Sequence, residues 1–269
     1  MPFKPQKGGF MIQIQLPNGH SMPALGLGTW DLRGNECFSA VKEALHLGYR
    51  HIDTAEMYGN EAEIGRALKN LGVPRRELFV TTKVWTNHHR AADFKKAAEA
   101  SLGRLGLSAV DLLLIHWPNP SVPLSETLKA LCQLAQEGKA LSIGVSNFSA
   151  ALLKEAVSLA TVPIACDQVP YSITENKKDF LAYARSQGVS VCAYTPLGKG
   201  AFLNRPELLE VSQKYGKTPA QVALRWLVQQ KGVAAIPKAS GVKHLKENIE
   251  IFDFKLDPLD LQLLTKLQK

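Results

Sequence analysis

The sequence predicts an α/β chain folded as a (β/α)8 TIM barrel, with a β-hairpin ahead of the first unit and one extra helix after the last. Three observations carry that expectation. One local grammar recurs eight times: a short apolar run ending in a polar residue, a helix of 3.6-residue period, and a glycine before the next run. No domain break or linker interrupts it, so residues 1–269 read as a single barrel domain. A doubly wound sheet would carry G-x-G-x-x-G after its first strand, but after Gly26 and Gly28 the third glycine's place is held by Asp31.

Residues 1–10 read as a loose leader without the apolar centre of a signal peptide. Met11 to Leu16 alternates, Pro17-Asn18-Gly19-His20 turns and Ser21-Met22-Pro23 resumes, which is a hairpin pattern. The first unit runs from Ala24 to Gly28, with Thr29 and Trp30 beyond its tip and a helix over about Glu36 to Leu47. The second ends at Asp53. Tyr58 follows in a loop, and Asn60 with Glu63 reads as cap and N3 partner of a helix whose apolar face is Ile64, Ala67, Leu68 and Leu71, stopped by Gly72. The third is Leu78 to Trp85, followed by a helix with Phe94, Ala98, Leu102 and Leu105 on one face. The fourth is Asp111 to Pro118, with a helix through Leu128, Leu131 and Ala135.

The fifth, Leu141 to Asn147, leads to a helix capped by Ser149. The sixth, Ile164 to Val169, leads to one capped by Thr174. The seventh, Val189 to Thr195, precedes a longer helical region in which Thr218-Pro219 is a start signal, a capping hydroxyl before proline at N1. The eighth, Val233 to Lys238, is followed by a helix from about Val242 to Ile251, and Pro258 to Leu267 closes the chain as the extra helix.

Bulk composition narrows the function classes. With 45% hydrophobic and 21% charged residues the chain is an ordinary globular one, and no apolar run approaches the roughly 20 residues that span a bilayer. Cys37, Cys132, Cys166 and Cys192 are scattered without a C-x-x-C pair, as reduced core thiols of a cytoplasmic protein would be. The net charge of +8 is dispersed over helix faces, which argues for a solvated surface that attracts an anionic ligand and against nucleic acid. Gly216-Lys217-Thr218 lacks the earlier glycine of a phosphate loop. Gly144-Val145-Ser146-Asn147-Phe148 is no nucleophile elbow, and His88-His89 has no carboxylate or thiolate at metal-ligand spacing, so no metal is expected.

The polar residues at the strand tips are Asp53, Lys83, His116, Asn147, Gln168, Tyr194 and Lys238. A barrel gathers such tips around one mouth. Taken singly, each has a bland reading as a turn, surface or strand-end residue. Taken together, buried strands seldom end in Asp, Lys and His in three successive units. Their chemistry is coherent without metal: a lysine ammonium beside the Tyr58 phenol stabilises phenolate, and an aspartate keeps that lysine charged. Lowering the phenol's pKa from about 10 to about 8 corresponds to roughly 2.7 kcal/mol, and would make Tyr58 a general acid. His116 can orient a carbonyl oxygen. Proton donation to a carbonyl is half a reaction; the other half is a hydride, which implies a cofactor. Asn147 and Gln168 suit a carboxamide, Tyr194 offers a flat face, and Trp30, Trp85 and Trp117 would line an apolar substrate cleft.

These segments also resemble the aldo-keto reductases. The match runs through Gly26-Leu27-Gly28-Thr29-Trp30, Asp53-Thr54-Ala55, Tyr58-Gly59-Asn60-Glu61, Thr82-Lys83, Leu114-Ile115-His116-Trp117-Pro118 and Ile143 to Phe148. It continues through Gln168-Val169, Ala193 to Gly198, Ile236-Pro237-Lys238 and Glu247-Asn248. The resemblance implies a monomeric barrel, NADPH-dependent carbonyl reduction, and Asp53, Tyr58, Lys83 and His116 as the catalytic tetrad. It also implies that Ser146, Asn147 and Gln168 hold the carboxamide, Tyr194 stacks on the nicotinamide, Leu197 and Gly198 lie near the pyrophosphate, and Glu247 and Asn248 face the adenine.

Three positions depart from the family pattern. Lys238-Ala239 replaces Lys-Ser, with Ser240 as the substitute hydroxyl for the 2′-phosphate. His244 replaces the arginine that stacks on adenine and pairs with that phosphate, which weakens discrimination against NADH because neutral imidazole lacks a forked charge. Asp167 replaces the asparagine before the glutamine. The chain stops at Lys269 without the long C-terminal loop of mammalian members, so an open cleft is expected. The resemblance is to the bacterial 2,5-diketo-D-gluconate reductase branch, whose members reduce small aldehydes, α-dicarbonyls and keto-sugars. The rival is a catalytically silent nucleotide-binding barrel acting as a sensor or subunit, which could dispense with Tyr58, Lys83 or His116.

Overall fold

The computed structural model describes residues 11–268; the leader expected at 1–10 lies outside them. The hairpin forms as expected, β1 (Gln13–Gln15) antiparallel to β2 (Ser21–Pro23) with Ile14 opposite Met22. Eight strands follow: β3 (Leu27–Gly28), β4 (His51–Asp53), β5 (Phe79–Val84), β6 (Val110–Ile115), β7 (Ala140–Ser146), β8 (Ile164–Pro170), β9 (Ser190–Tyr194) and β10 (Val233–Ala235). Each from β4 onward pairs in parallel with the strand before it. Parallel bridges Leu25↔Ala235 and Gly28↔Lys238 join the first strand to the last and close the barrel. That seam leaves no room for a side chain at Gly28, where a Cβ would lie 2.5 Å from the Ile236 carbonyl oxygen.

The helices are α1 (Gly34–His46), α2 (Glu61–Leu71), α3 (Ala91–Leu105), α4 (Leu124–Gln136), α5 (Ala150–Leu159), α6 (Lys178–Ser186), α7 (Pro206–Tyr215), α8 (Pro219–Val228), α9 (Val242–Ile249) and α10 (Pro258–Thr265). They cover the outside of the sheet with the apolar faces read from their periodicity. On α3, Phe94, Ala98, Leu102 and Leu105 are all buried, and each of the larger three contributes roughly 1.5–3 kcal/mol by leaving water. Residues in all six positions of β5 and of β6 are buried, Lys83 among them.

Two of the expected caps form: Ser149 accepts from Leu152 N–H, and Thr218 makes a full capping box with Gln221. Two do not. Asn60 stands at the N-cap of α2 but its side chain makes no capping bond. It is buried and spans loops instead, donating to the Thr29 and Leu32 carbonyls at 3.1 and 2.9 Å and accepting from Thr54 Oγ1 at 2.6 Å. Thr174 lies ahead of α6, whose N-cap is Lys177, and its hydroxyl pairs with Ser172 Oγ at 3.0 Å.

The hairpin lies across the N-terminal end of the barrel. The Pro23 carbonyl meets His51 Nδ1 at 3.2 Å at the start of β4, and Asn18 Nδ2 donates to Ser142 Oγ at 2.9 Å near the start of β7. The opposite end, at the strand C-termini, is left for ligands.

Candidate active site

At that end a cavity of about 580 Å³ opens between the strand tips. Asp53, Tyr58, His116, Ser146, Asn147, Gln168, Tyr194, Leu197 and Lys238 line it, with Trp30 and Trp117 at its rim, 48% and 43% exposed. Residues from seven strand ends therefore meet in one cleft. Lys83 lies beneath its floor, fully buried.

The Lys83 ammonium has three hydrogens and three acceptors around it: Asp53 Oδ1 at 2.6 Å, the Thr54 carbonyl at 2.8 Å and Tyr58 Oη at 3.4 Å. An ammonium has no lone pair, so it can only donate. Tyr58 Oη accepts from it, which leaves the phenolic hydrogen free to face the cavity. The second Asp53 oxygen accepts from Gln168 Nε2 at 2.7 Å. The buried carboxylate is thus held on both sides.

Burial would lower Lys83, but Asp53 and Tyr58 more than offset it, and the ammonium is held above its ordinary pKa. For Tyr58 the expected lowering is not found. Burial raises the phenol and outweighs the downward pull of Lys83, whose charge is already shared with Asp53. Tyr58 therefore keeps its proton at neutral pH until negative charge develops next to it. His116 is pushed down to about 3 by burial, with Lys83 and His89 adding to the effect, so it is a neutral imidazole. Its Nδ1 is buried with no hydrogen-bond partner among the described residues.

Three ring contacts hold His116 and Tyr58 in register. Tyr58 packs edge-on to His116 at 5.6 Å between centroids, Trp85 edge-on to His116 at 5.0 Å, and Trp30 lies 4.9 Å from Tyr58. Trp85 does not line the cavity itself; it backs His116 from the loop after β5.

The opposite wall is built at β7, β8 and β9. Asn147 takes a left-handed backbone, φ 65°. Its Nδ2 donates to the His116 carbonyl and to Ser146 Oγ, both at 3.0 Å, and its Oδ1 accepts from Tyr194 Oη at 2.7 Å. Ser146 Oγ donates to the Gln168 carbonyl at 2.7 Å. The half-buried Tyr194 ring is thereby fixed in orientation as a flat wall of the cavity. Gln168 Oε1 makes no hydrogen bond among the described residues, so an acceptor stays free beside that ring. A planar heterocycle with a carboxamide fits this acceptor and face, its amide N–H donating to Gln168 Oε1.

Ser240 and His244 are exposed, and His244 Nδ1 lies 3.4 Å from Glu247 Oε2. Ala239 and Asn248 are buried. Gly198 turns beside the cavity with φ 53°, where a Cβ would lie 2.8 Å from the Phe202 ring. Asp167 points away from Gln168 into the layer behind β8, fully buried, and neither oxygen has a well-formed hydrogen bond among the described residues. Burial pushes its carboxyl up to about 8, only partly offset by the Phe148 amide and Lys177.

Sequence reading missed Asp31, Met57 and Lys199, which also line the cavity, and Glu56, whose carboxylate lies 2.7 Å from His88 Nδ1. Spacing along the chain showed no carboxylate for that histidine because the two sit on different loops.

The Aldo/keto reductase family model matches residues 24–269. Human aldo-keto reductase family 1 member A1 is 38% identical over 290 residues, covering 95% of this chain and 89% of the relative. A solved structure described as a candidate 2,5-diketo-D-gluconic acid reductase B superposes with a TM-score of 0.94 at 41% identity, covering 97% of this chain and 92% of that one. An aldo-keto reductase crystallised with NADPH superposes at 0.91 with 36% identity, covering 97% and 88%.

Proposed function

Because the chain belongs to the aldo/keto reductase family, we propose that it reduces aldehydes and ketones to alcohols with NADPH, using Tyr58 as the proton donor. The observation that carries the assignment of Tyr58 is the saturated Lys83 ammonium, which turns the phenolic hydrogen toward the cavity.

In this reading a carbonyl oxygen sits between Tyr58 Oη and His116. Neutral His116 donates a hydrogen bond that orients the carbonyl, and Tyr58 gives up its proton as the oxygen becomes alkoxide. Lys83 then stabilises the phenolate, and Asp53 keeps Lys83 charged where water is scarce. The cofactor, when bound, supplies the two electrons of the reduction as a hydride. Ser146, Asn147 and Gln168 hold its carboxamide, and Tyr194 backs its ring. Leu197 and Gly198 flank the pyrophosphate. Lys238, Ser240 and His244 meet the 2′-phosphate, and Glu247 and Asn248 the adenine. Trp30 and Trp117 shape the substrate side, and Trp85 supports it from behind His116.

Small aldehydes, α-dicarbonyls and keto-sugars are the substrate class, a reading supported by the open rim at Trp30 and Trp117 and by the resemblance to a candidate diketogluconate reductase. NADH use alongside NADPH is supported by Ala239 and the exposed His244. We read the protein as a monomeric, single-domain enzyme of the cytoplasm, in keeping with its four free, buried cysteines and its one closed eight-stranded sheet. A silent barrel finds no support, since Asp53, Tyr58, Lys83 and His116 all converge.

The test is a steady-state assay with NADPH and NADH over a panel of aldehydes, α-dicarbonyls and keto-sugars. Turnover of small carbonyls with both nucleotides, NADPH preferred, is expected. Nucleotide binding without turnover of any panel member would favour the silent barrel.

A further inference from the structure

Two loops carry the reacting end of the site. The turn Glu56–Tyr58 after β4 holds the phenol, and the segment after β5 holds Trp85 and the turn Thr86–His88. Their floors are joined by Lys83, which reaches from β5 to Asp53 and Tyr58. Near their tips they are joined by one side chain. Glu56 Oε2 accepts the Trp85 backbone N–H at 3.0 Å, and Oε1 lies 2.7 Å from His88 Nδ1, at an angle too poor for a hydrogen bond. The Glu56 side chain is only 17% exposed, so this link is sheltered from water. Trp85 in turn backs His116, and His116 packs on Tyr58, so the link closes a ring of contacts around the carbonyl position.

We infer that Glu56 is a positioning residue for carbonyl reduction: through the Trp85 N–H it sets the distance between the Tyr58 hydroxyl and His116. The inference rests on the reading of Tyr58 as proton donor. The hydrogen bond, rather than the charge, does the positioning, because only the bond has a defined direction and length.

Three variants separate the contributions. Glu56→Gln keeps an acceptor oxygen at the same reach and loses the charge. Glu56→Asp keeps the charge and withdraws the oxygen by one methylene. Glu56→Ala loses both. A full ångström of displacement at a reacting centre can cost about 100-fold in rate, so a fraction of an ångström is expected to cost about tenfold. Glu56→Asp and Glu56→Ala are therefore expected to lower kcat about tenfold or more with KM for NADPH within about twofold, while Glu56→Gln stays within about threefold of the parent. In a Tyr58→Phe background, Glu56→Asp should change the residual rate less than about twofold, since the group it positions is gone. Parental kcat in Glu56→Asp, equal loss in Glu56→Gln and Glu56→Asp, or an undiminished effect in the Tyr58→Phe background would each overturn the inference. Full turnover in Tyr58→Phe alone would instead overturn the proton-donor reading beneath it.

Discussion

Gln168 and Asp53, 115 residues apart in sequence, are joined by a 2.7 Å hydrogen bond from Nε2 to Oδ2. The other Asp53 oxygen holds Lys83. One carboxylate therefore connects the wall assigned to the cofactor with the ammonium assigned to proton transfer, and a change at either end is felt at the other.

Gln168→Leu would leave Asp53 Oδ2 buried without its donor. A buried acceptor stripped of its partner costs about 1–3 kcal/mol. Thermal unfolding should show that loss, and titration should show weaker NADPH binding. Unchanged stability together with weaker binding would mean that Gln168 serves the cofactor alone.

Lys83→Met removes the cation from a carboxylate whose side chain is 2% exposed. Breaking one partner of a buried pair costs about 3–5 kcal/mol, whereas replacing both by neutral groups recovers much of that loss. Lys83→Met should therefore unfold earlier than Lys83→Met combined with Asp53→Asn, and neither should turn over substrate at a useful rate. Denaturant unfolding of the two variants checks the order.

Asp167 sets a pH dependence of stability. Its carboxyl titrates near 3.8 in an unfolded chain and at about 8 in the fold, so between these values the native state binds more protons than the unfolded one. Stability then falls as pH rises through that window, and is not lost on acidification. Asp167→Asn, which carries no charge at any of these pH values, should match the parent near pH 4. Its advantage should grow as pH rises, reaching on the order of a few kcal/mol at pH 8 and above. A pH-independent difference in Tm would contradict the assignment.

His244→Arg places a forked charge where an exposed imidazole now stands. A charge-assisted hydrogen bond to phosphate is worth about 1.5–3 kcal/mol, so the NADPH to NADH ratio of kcat/KM should rise about tenfold or more. An unchanged ratio would remove His244 from the account of cofactor choice.

The barrel was legible in the sequence because the signals that specify it are local. Apolar runs such as Phe79–Val84 and Val110–Ile115 mark buried strands, and helix faces and glycine stops mark what lies between. The strand-tip residues followed, since a parallel barrel leaves them one place to meet. What stayed hidden depends on distance between loops. Asn60 has the residue type of a cap, yet the Thr29 and Leu32 carbonyls, reached only in the folded chain, take its donors. Glu56 has no neighbour in sequence that announces Trp85 as its partner. The direction of the Tyr58 pKa was misread for a related reason: residue types show the charges near a phenol but not how completely water is removed from it.

The central claim is that the phenolic hydrogen of Tyr58, freed toward the cavity by the saturated Lys83 ammonium, is the proton delivered to substrate. Tyr58→Phe removes that hydrogen and leaves the ring packing intact. The account predicts a fall in kcat of about 100-fold or more with the Kd for NADPH unchanged. Turnover equal to that of the parent, at equal nucleotide affinity, would contradict it.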